Sequence, residues 1–254
     1  HSFCAGDLLM DYQRYSQYST ILDREMPFLV FGHAGRPVMV FPTQNGRCTD
    51  FNEFGMSDTV AEQIRTGRLQ LFCVDSIDAQ TWSDKEGNKG YRAWLQEQWF
   101  RYCTEEFTPL MLQMNGTRLA PLTAGCSMGA THALNTFLRR PDLFDGVIAL
   151  SGAYDARYFF GDYTDANLYN NSIVDYMRGL PSDHPYIPMF NTRSIVVCTG
   201  QGAWEEEMIR TTGMLKKIFE EKGIRAWFDF WGYDVSHDWS WWRRQFPYFI
   251  SGIL

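Results

Sequence analysis

Ala120-Pro121-Leu122-Thr123-Ala124-Gly125-Cys126-Ser127-Met128-Gly129 is the stretch on which the fold turns. A short apolar run ends in the G-x-S-x-G pentapeptide Gly125–Gly129, and an amphipathic run over 127–139 follows at once. Such pentapeptides are common by chance; a strand before and a helix after give one its chemical meaning. The chain must reverse sharply there, and side chains at Gly125 and Gly129 would collide with neighbouring backbone. The turn lifts the Ser127 hydroxyl clear of the sheet, and the helix N-terminus beneath it favours developing negative charge. The plainer reading is a serine that only caps the helix.

Outward from this stretch, short apolar runs alternate with longer amphipathic ones. They predict strands at 18–22, 27–32, 37–41, 69–75, 121–125, 146–151, 194–199 and 226–231. The first two, joined through Asp23-Arg24-Glu25-Met26, read as an antiparallel hairpin. The later ones are apolar on both faces and end in Gly, Asp or Ser, as buried parallel strands do. Helices are expected over 91–112, 127–139, 204–222 and 239–250, with Gly223 closing the third and Pro247 weakening the last. This alternation with right-handed crossovers predicts an α/β fold: a mostly parallel sheet with an N-terminal antiparallel hairpin and helices on both faces. One such domain accommodates all of 1–254. The segment 153–190 breaks the rhythm, being loop-like and rich in Tyr, Phe, Asn and Asp, with helix expected only around 173–180. It reads either as a cap-like insertion over a site or as a surface excursion.

Composition narrows the class. Apolar residues make up 45% and charged residues 21%, which suits a large globular core. Aromatics at 16% point to extra core packing or an aromatic-lined pocket. With a net charge of −7 and no basic run longer than a pair, the chain lacks the concentrated basic face that nucleic acid needs. No apolar run is long enough to cross a membrane. Cys4, Cys48, Cys73, Cys103, Cys126 and Cys198 form no C-x-x-C pair, and several lie in apolar stretches, which points to a reducing cytoplasm. The chain opens on His1, which leaves a removed leader or tag open. Nothing speaks to oligomeric state.

A neutral serine needs a base. His237 follows the last expected strand after a short loop, so serine comes first and histidine last, at the right end of the sheet. His1 is terminal, His33 sits by an early turn, His132 points along the flank of the helix after Ser127, and His184 lies in an irregular stretch. The acid should follow an intermediate strand. The loop after 194–199 supplies Glu205, Glu206 and Glu207; Glu205 is favoured, then Glu206, with Asp155 after the preceding strand as the outsider. Trp204 is expected to pack inward and anchor that turn. The acid fixes the imidazole tautomer and stabilises the imidazolium, which Glu does as well as Asp. Two N–H groups should hold an oxyanion. Met128, next after the serine, is one. The other should lie in Pro42-Thr43-Gln44-Asn45-Gly46, where Pro42 has none to give; Gln44 is favoured, then Asn45. Cys126 competes as nucleophile in principle, but the turn aims its middle residue, which leaves Cys126 to packing.

Three blocks carry a likeness: Gly125–Gly129, Gly200-Gln201-Gly202-Ala203-Trp204-Glu205, and Trp231-Gly232-Tyr233-Asp234-Val235-Ser236-His237-Asp238-Trp239-Ser240-Trp241-Trp242. In this order they resemble the putative-esterase family of α/β hydrolases, which includes esterase D-like enzymes, feruloyl-type esterases and mycolyltransferases. The resemblance covers the chain from about Val38 to its end. Where the family typically carries an HG- or DG-type turn in the oxyanion loop, this chain has Pro42–Gly46. It implies the α/β-hydrolase fold and ester hydrolysis or acyl transfer through an acyl-enzyme, on a small-molecule ester, without metal or organic cofactor. The expectation is therefore a serine carboxylic-ester hydrolase with a Ser127-His237-Glu205 triad. An acyltransferase using the same residues and a catalytically silent binding module on the same fold are its alternatives.

Overall fold

The computed structural model describes residues 11–254, so His1 and Cys4 lie outside the described residues. Eight strands form one sheet: β1 (Tyr12–Ser19), β2 (Arg24–Phe31), β3 (Arg36–Phe41), β4 (Leu69–Val74), β5 (Leu122–Cys126), β6 (Gly146–Leu150), β7 (Ser194–Thr199) and β8 (Trp227–Phe230). Their spatial order is β1-β2-β4-β3-β5-β6-β7-β8. β1 pairs antiparallel with β2 and β2 with β4, while β3 to β8 run parallel. The helices are α1 (Asp50–Glu53), α2 (Ala61–Arg65), α3 (Lys89–Arg101), α4 (Thr108–Asn115), α5 (Met128–Arg139), α6 (Arg157–Phe160), α7 (Ala166–Tyr169), α8 (Ile173–Gly179), α9 (Tyr186–Phe190), α10 (Glu206–Glu221) and α11 (Trp239–Ile253).

Side-chain alternation along the parallel strands builds two cores. Met39, Phe41, Val147, Ala149, Ile195 and Val197 pack with Leu134 and Phe137 of α5 and Leu215 and Phe219 of α10. Val38, Val40, Leu122, Ala124, Ile148 and Leu150 join Phe246, Phe249 and Ile250 of α11 in the other. Each Val, Leu, Ile, Met or Phe among them contributes about 1.5–3 kcal/mol by burial. Both faces are therefore covered, as strands apolar on both sides require.

Two expectations need correction. β1 begins at Tyr12, and Ile21-Leu22, read as the end of a strand over 18–22, belong to the turn. The true strand is an edge whose residues are mostly exposed, so it carries no apolar signal. Leu22 is buried beneath the turn instead, its N–H donating to Ser19 Oγ at 2.9 Å. The expected helix over 91–112 runs from Lys89 to Asn115 but passes through a π-helical turn at Tyr102–Phe107. Pro109 lacks an N–H and its ring crowds the carbonyl four residues back, and a widened turn relieves both conflicts. Helix α11 carries Pro247 without breaking.

The topology fixes where chemistry can occur. From β3 the chain moves to β4 on one side, then returns past β3 to β5 on the other. That switch point opens a crevice beyond the carboxyl ends of β3 and β5. Phe41 pairs with Gly125 across it, so the loop after β3 and the turn after β5 emerge side by side.

Candidate active site

Ser127 sits between β5 and α5 with φ +58° and ψ −125°. That backbone region costs a non-glycine residue of order 1–3 kcal/mol and persists only where neighbours enforce it. Here the Ser127 N–H donates to Leu150 O at 2.8 Å. A Cβ on Gly125 would stand 2.3 Å from the Gly129 carbonyl, and one on Gly129 would stand 2.5 Å from Phe41 O. Only glycines let the turn close this tightly against the end of β3. The Ser127 side chain makes no cap hydrogen bond, so the capping alternative fails.

Its hydroxyl meets His237 Nε2 at 2.8 Å. On the far side of the ring, His237 Nδ1 pairs with Glu205 Oε1. A carboxylate at Nδ1 can hold a proton there and leave Nε2 free to accept from a hydroxyl. Glu205 is fully buried, and its other oxygen accepts from Thr199 Oγ1 at 2.7 Å, Ser151 Oγ at 2.8 Å and the Gly200 N–H at 2.9 Å. Trp242 Nε1 donates in turn to Ser151 Oγ at 3.2 Å, and its ring stands edge-on to the His237 imidazole, 4.8 Å away. A buried carboxylate is tolerable only with its lone pairs engaged, and these donors engage them.

Three backbone bonds stitch the acid segment to the histidine segment: Gln201 N–H to Gly232 O at 3.2 Å, Gly202 N–H to Val235 O at 2.8 Å and His237 N–H to Ala203 O at 2.9 Å. They perform the anchoring expected of Trp204. That residue does the opposite: it is 79% exposed, with φ +67°, and helix α10 starts two residues later. The positive φ turns the Trp204 side chain outward as the chain folds back to bring Glu205 under the sheet end. Glu206 is exposed, and Glu207 pairs with Arg210 at 2.6 Å.

Asp155 is also buried but faces Arg157 at 3.0 Å and Arg210 at 3.3 Å. Burial pushes its carboxyl up, yet the donors from Arg157 and Arg210 outweigh that and hold it below the usual carboxylate range. His132 is buried, its Nε2 bonded to Asp78 Oδ1 at 2.9 Å. His33 is exposed, and His184 Nδ1 accepts the Tyr186 N–H at 3.0 Å. Cys126 is buried at the end of β5, and desolvation pushes its thiol well above the ordinary range, which leaves it inert. None of these side chains bonds to the Ser127 hydroxyl.

Met128, as the first residue of α5, has an N–H with no intrahelical partner. Opposite it lies the loop 42–46, which Gly129 touches through Phe41 O and Pro42 O. Met128 also packs with Trp82, Ala156, Phe160 and Leu168, so the segment 153–190 reaches the flank of the turn. Residues that sequence reasoning missed are Ser151, Thr199 and Trp242 around Glu205, and Asp50 and Asp78 around the loop. Ser151 and Thr199 end expected strands, a usable signal; the two aspartates carried none. Among the described residues, no group of three or more His, Cys, Asp or Glu side chains is arranged to hold a metal ion.

Sheet order and sharp turn together define an α/β hydrolase. The chain belongs to the putative-esterase family, whose model matches residues 19–250, and its chemistry is carboxylic-ester hydrolysis. Among solved structures it is similar to a ferulic acid esterase, at 16% identity and TM-score 0.73, over 96% of this chain and 98% of that one. It is similar as well to an S-formylglutathione hydrolase from Agrobacterium tumefaciens, at 14% identity and TM-score 0.70, over 95% and 93%. A third is the fluorophosphonate-binding serine hydrolase F of Staphylococcus aureus, at 12% identity and TM-score 0.68, over 95% and 97%. At these identities the likeness is one of fold. No match is found among the curated proteins.

Proposed function

We propose that this chain is a serine carboxylic-ester hydrolase that works through an acyl-enzyme, with Ser127 as nucleophile, His237 as general base and Glu205 as the acid. The observation that carries the reading is the unbroken relay from Ser127 Oγ through both nitrogens of His237 to buried Glu205. Ser127 Oγ attacks the ester carbonyl carbon as its proton passes to His237 Nε2. The carbonyl oxygen gains the negative charge and is held by the Met128 and Gln44 N–H groups. Collapse expels the alcohol, which takes the proton from His237 and leaves Ser127 acylated. Water then attacks, delivering its proton to the same nitrogen, and the acid departs as serine regains its proton. Glu205 orients the ring and stabilises the imidazolium.

The flank formed by Met128, Trp82, Ala156 and Phe160 supports a role for the 153–190 insertion as a wall on the acyl side. Two of the neighbours, a ferulic acid esterase and an S-formylglutathione hydrolase, are named for different acyl groups. The substrate is accordingly held at the level of small-molecule esters. A cytoplasmic address is the companion reading, supported by Cys48, Cys73, Cys103, Cys126 and Cys198, all free and buried. No described helix is long and apolar enough to cross a membrane.

The test is hydrolysis of p-nitrophenyl esters of increasing acyl length, with and without an alcohol acceptor, by wild type and Ser127→Ala. Acid release that depends on Ser127 is expected. Ser127-dependent formation of a new ester at the expense of acid would replace hydrolysis with acyl transfer, and no turnover of any ester would favour a silent module.

A further inference from the structure

The loop Pro42-Thr43-Gln44-Asn45-Gly46 has five residues and, among the described residues, one N–H that meets no partner. Pro42 has none to give. The Thr43 N–H donates to Asp50 Oδ2 at 2.7 Å, the Asn45 N–H to Asp78 Oδ2 at 3.4 Å, and the Gly46 N–H to Thr43 O at 2.8 Å. Gln44 stands between two N–H groups, each taken by a carboxylate from a different segment. We propose that Asp50 and Asp78 are positioning residues: a two-sided carboxylate clamp that holds this loop so that the Gln44 N–H alone faces the oxyanion. The inference deepens the reading above and rests on Ser127 being the nucleophile.

Both carboxylates are built in rather than incidental. Asp50 is 4% exposed and Asp78 is 2% exposed. Burying such groups costs several kcal/mol unless each is held by donors, so their partners define what they are for. Asp50 opens α1 and takes a second bond from Thr43 Oγ1 at 2.8 Å. It thus grips one residue through both its backbone and its side chain. Asp78 is held from behind by His132 Nε2 at 2.9 Å, and the His132 ring is boxed by Trp99 at 4.5 Å and Phe41 at 6.1 Å.

His132 belongs to α5, the helix whose first residue is Met128. Both proposed oxyanion donors are therefore tied to one rigid element. Met128 belongs to it, and Gln44 is tied through Asn45, Asp78 and His132. Asn45 itself has φ +60°, a left-handed conformation that an L-residue adopts at a cost of roughly 1–2 kcal/mol. The clamp supplies what enforces it. An oxyanion donor must be aimed to within a fraction of an ångström, and a loop without such fixation would not be.

The experiment measures kcat, KM and the pH profile of p-nitrophenyl acetate hydrolysis for Asp50→Ala, Asp50→Asn and Asp78→Ala, beside wild type and Ser127→Ala. Asp50→Ala should lower kcat by about 10²-fold with KM within about threefold, because an aimed donor acts in the transition state. Asp50→Asn keeps an acceptor for both Thr43 donors and should recover kcat to within about fivefold of wild type. Asp78→Ala should lose about tenfold in kcat, its contact being longer. The pH profile should keep its shape in all three. Should Asp50→Ala fail to fold, the rescue in Asp50→Asn and the kcat-only loss in Asp78→Ala decide. Wild-type kcat in folded alanine variants, or an Asp50→Asn variant as slow as Asp50→Ala, overturns the clamp. Turnover that survives Ser127→Ala sinks the underlying reading instead, and the clamp with it.

Discussion

Two histidine–carboxylate pairs lie near Ser127, and they differ in what the second ring nitrogen does. His132, five residues along the chain, gives Nε2 to Asp78, and both side chains are sealed from solvent. His237, 110 residues away, gives Nδ1 to Glu205 and keeps Nε2 for the serine. The His237 side chain remains 16% exposed, so a substrate can reach the nitrogen that would move the proton. Nearness in sequence is irrelevant to this choice. A helix directs residue 132 back along its own flank, whereas the β8–α11 loop returns residue 237 over the carboxyl end of the sheet. A paired imidazole becomes a base only when its other nitrogen faces a nucleophile.

The sharpest way to break this comparison is to delete each partner in turn. Ser127→Ala and His237→Ala should each lower kcat by roughly 10⁴-fold or more while leaving the fold intact, read by steady-state ester hydrolysis and thermal melting. An equal loss in His132→Ala, with its melting point unchanged, would reverse the two roles. Glu205→Gln comes next, at about 10³–10⁴-fold, because the amide cannot fix the productive tautomer but the rest of the relay stays. Glu206→Gln should lose far less and Glu207→Gln almost nothing; a larger loss at Glu206 would move the acid by one residue.

His132→Ala should show the opposite balance. It leaves a cavity beside Trp99 and strips the buried Asp78 Oδ1 of its partner, a cost of about 3 kcal/mol or more. In a chain of this length that lowers Tm by roughly 6–12 °C, while turnover of the folded protein falls no more than about tenfold. The smallest effects on catalysis should come from Asp155→Asn and Cys126→Ala, each within about threefold of wild type in kcat. Asp155 carries a pH signature of its own. Because its folded carboxyl is held below the usual range, it stabilises the fold above that range and loses the contribution as pH falls through the lowered value. Melting curves of Asp155→Asn should therefore depend less on pH on the acid side than those of wild type.

Much of the architecture was legible because strands buried on both faces read as apolar runs, and β4 to β7 lie where those runs stand; β8, a half-exposed edge, was legible from its aromatic run alone. The edge strand β1 was misread for the converse reason: exposed on nearly every residue, it shows no apolar face, while buried Leu22 in the turn mimics one. Around the site, Ser127 was legible through a turn that only two glycines can close, and His237 through chain order. Glu205 was separable from Glu206 and Glu207 only as a preference, since three successive carboxylates look alike until a backbone of positive φ at Trp204 turns one of them inward. The expectation that Trp204 itself would pack inward failed at the same place. Asp50 and Asp78 were invisible because each reaches the loop through a backbone N–H, and such a partner leaves no trace in side-chain patterns.

The most direct test of the relay is fluorophosphonate labelling followed by mapping of the modified peptide by mass spectrometry, on wild type, Ser127→Ala, His237→Ala and His132→Ala. The relay predicts a single adduct on Ser127, lost in Ser127→Ala, formed at least about 10³-fold more slowly in His237→Ala, and still formed in folded His132→Ala. An adduct on Cys126 or any other residue of wild type, or undiminished labelling in His237→Ala, would contradict it.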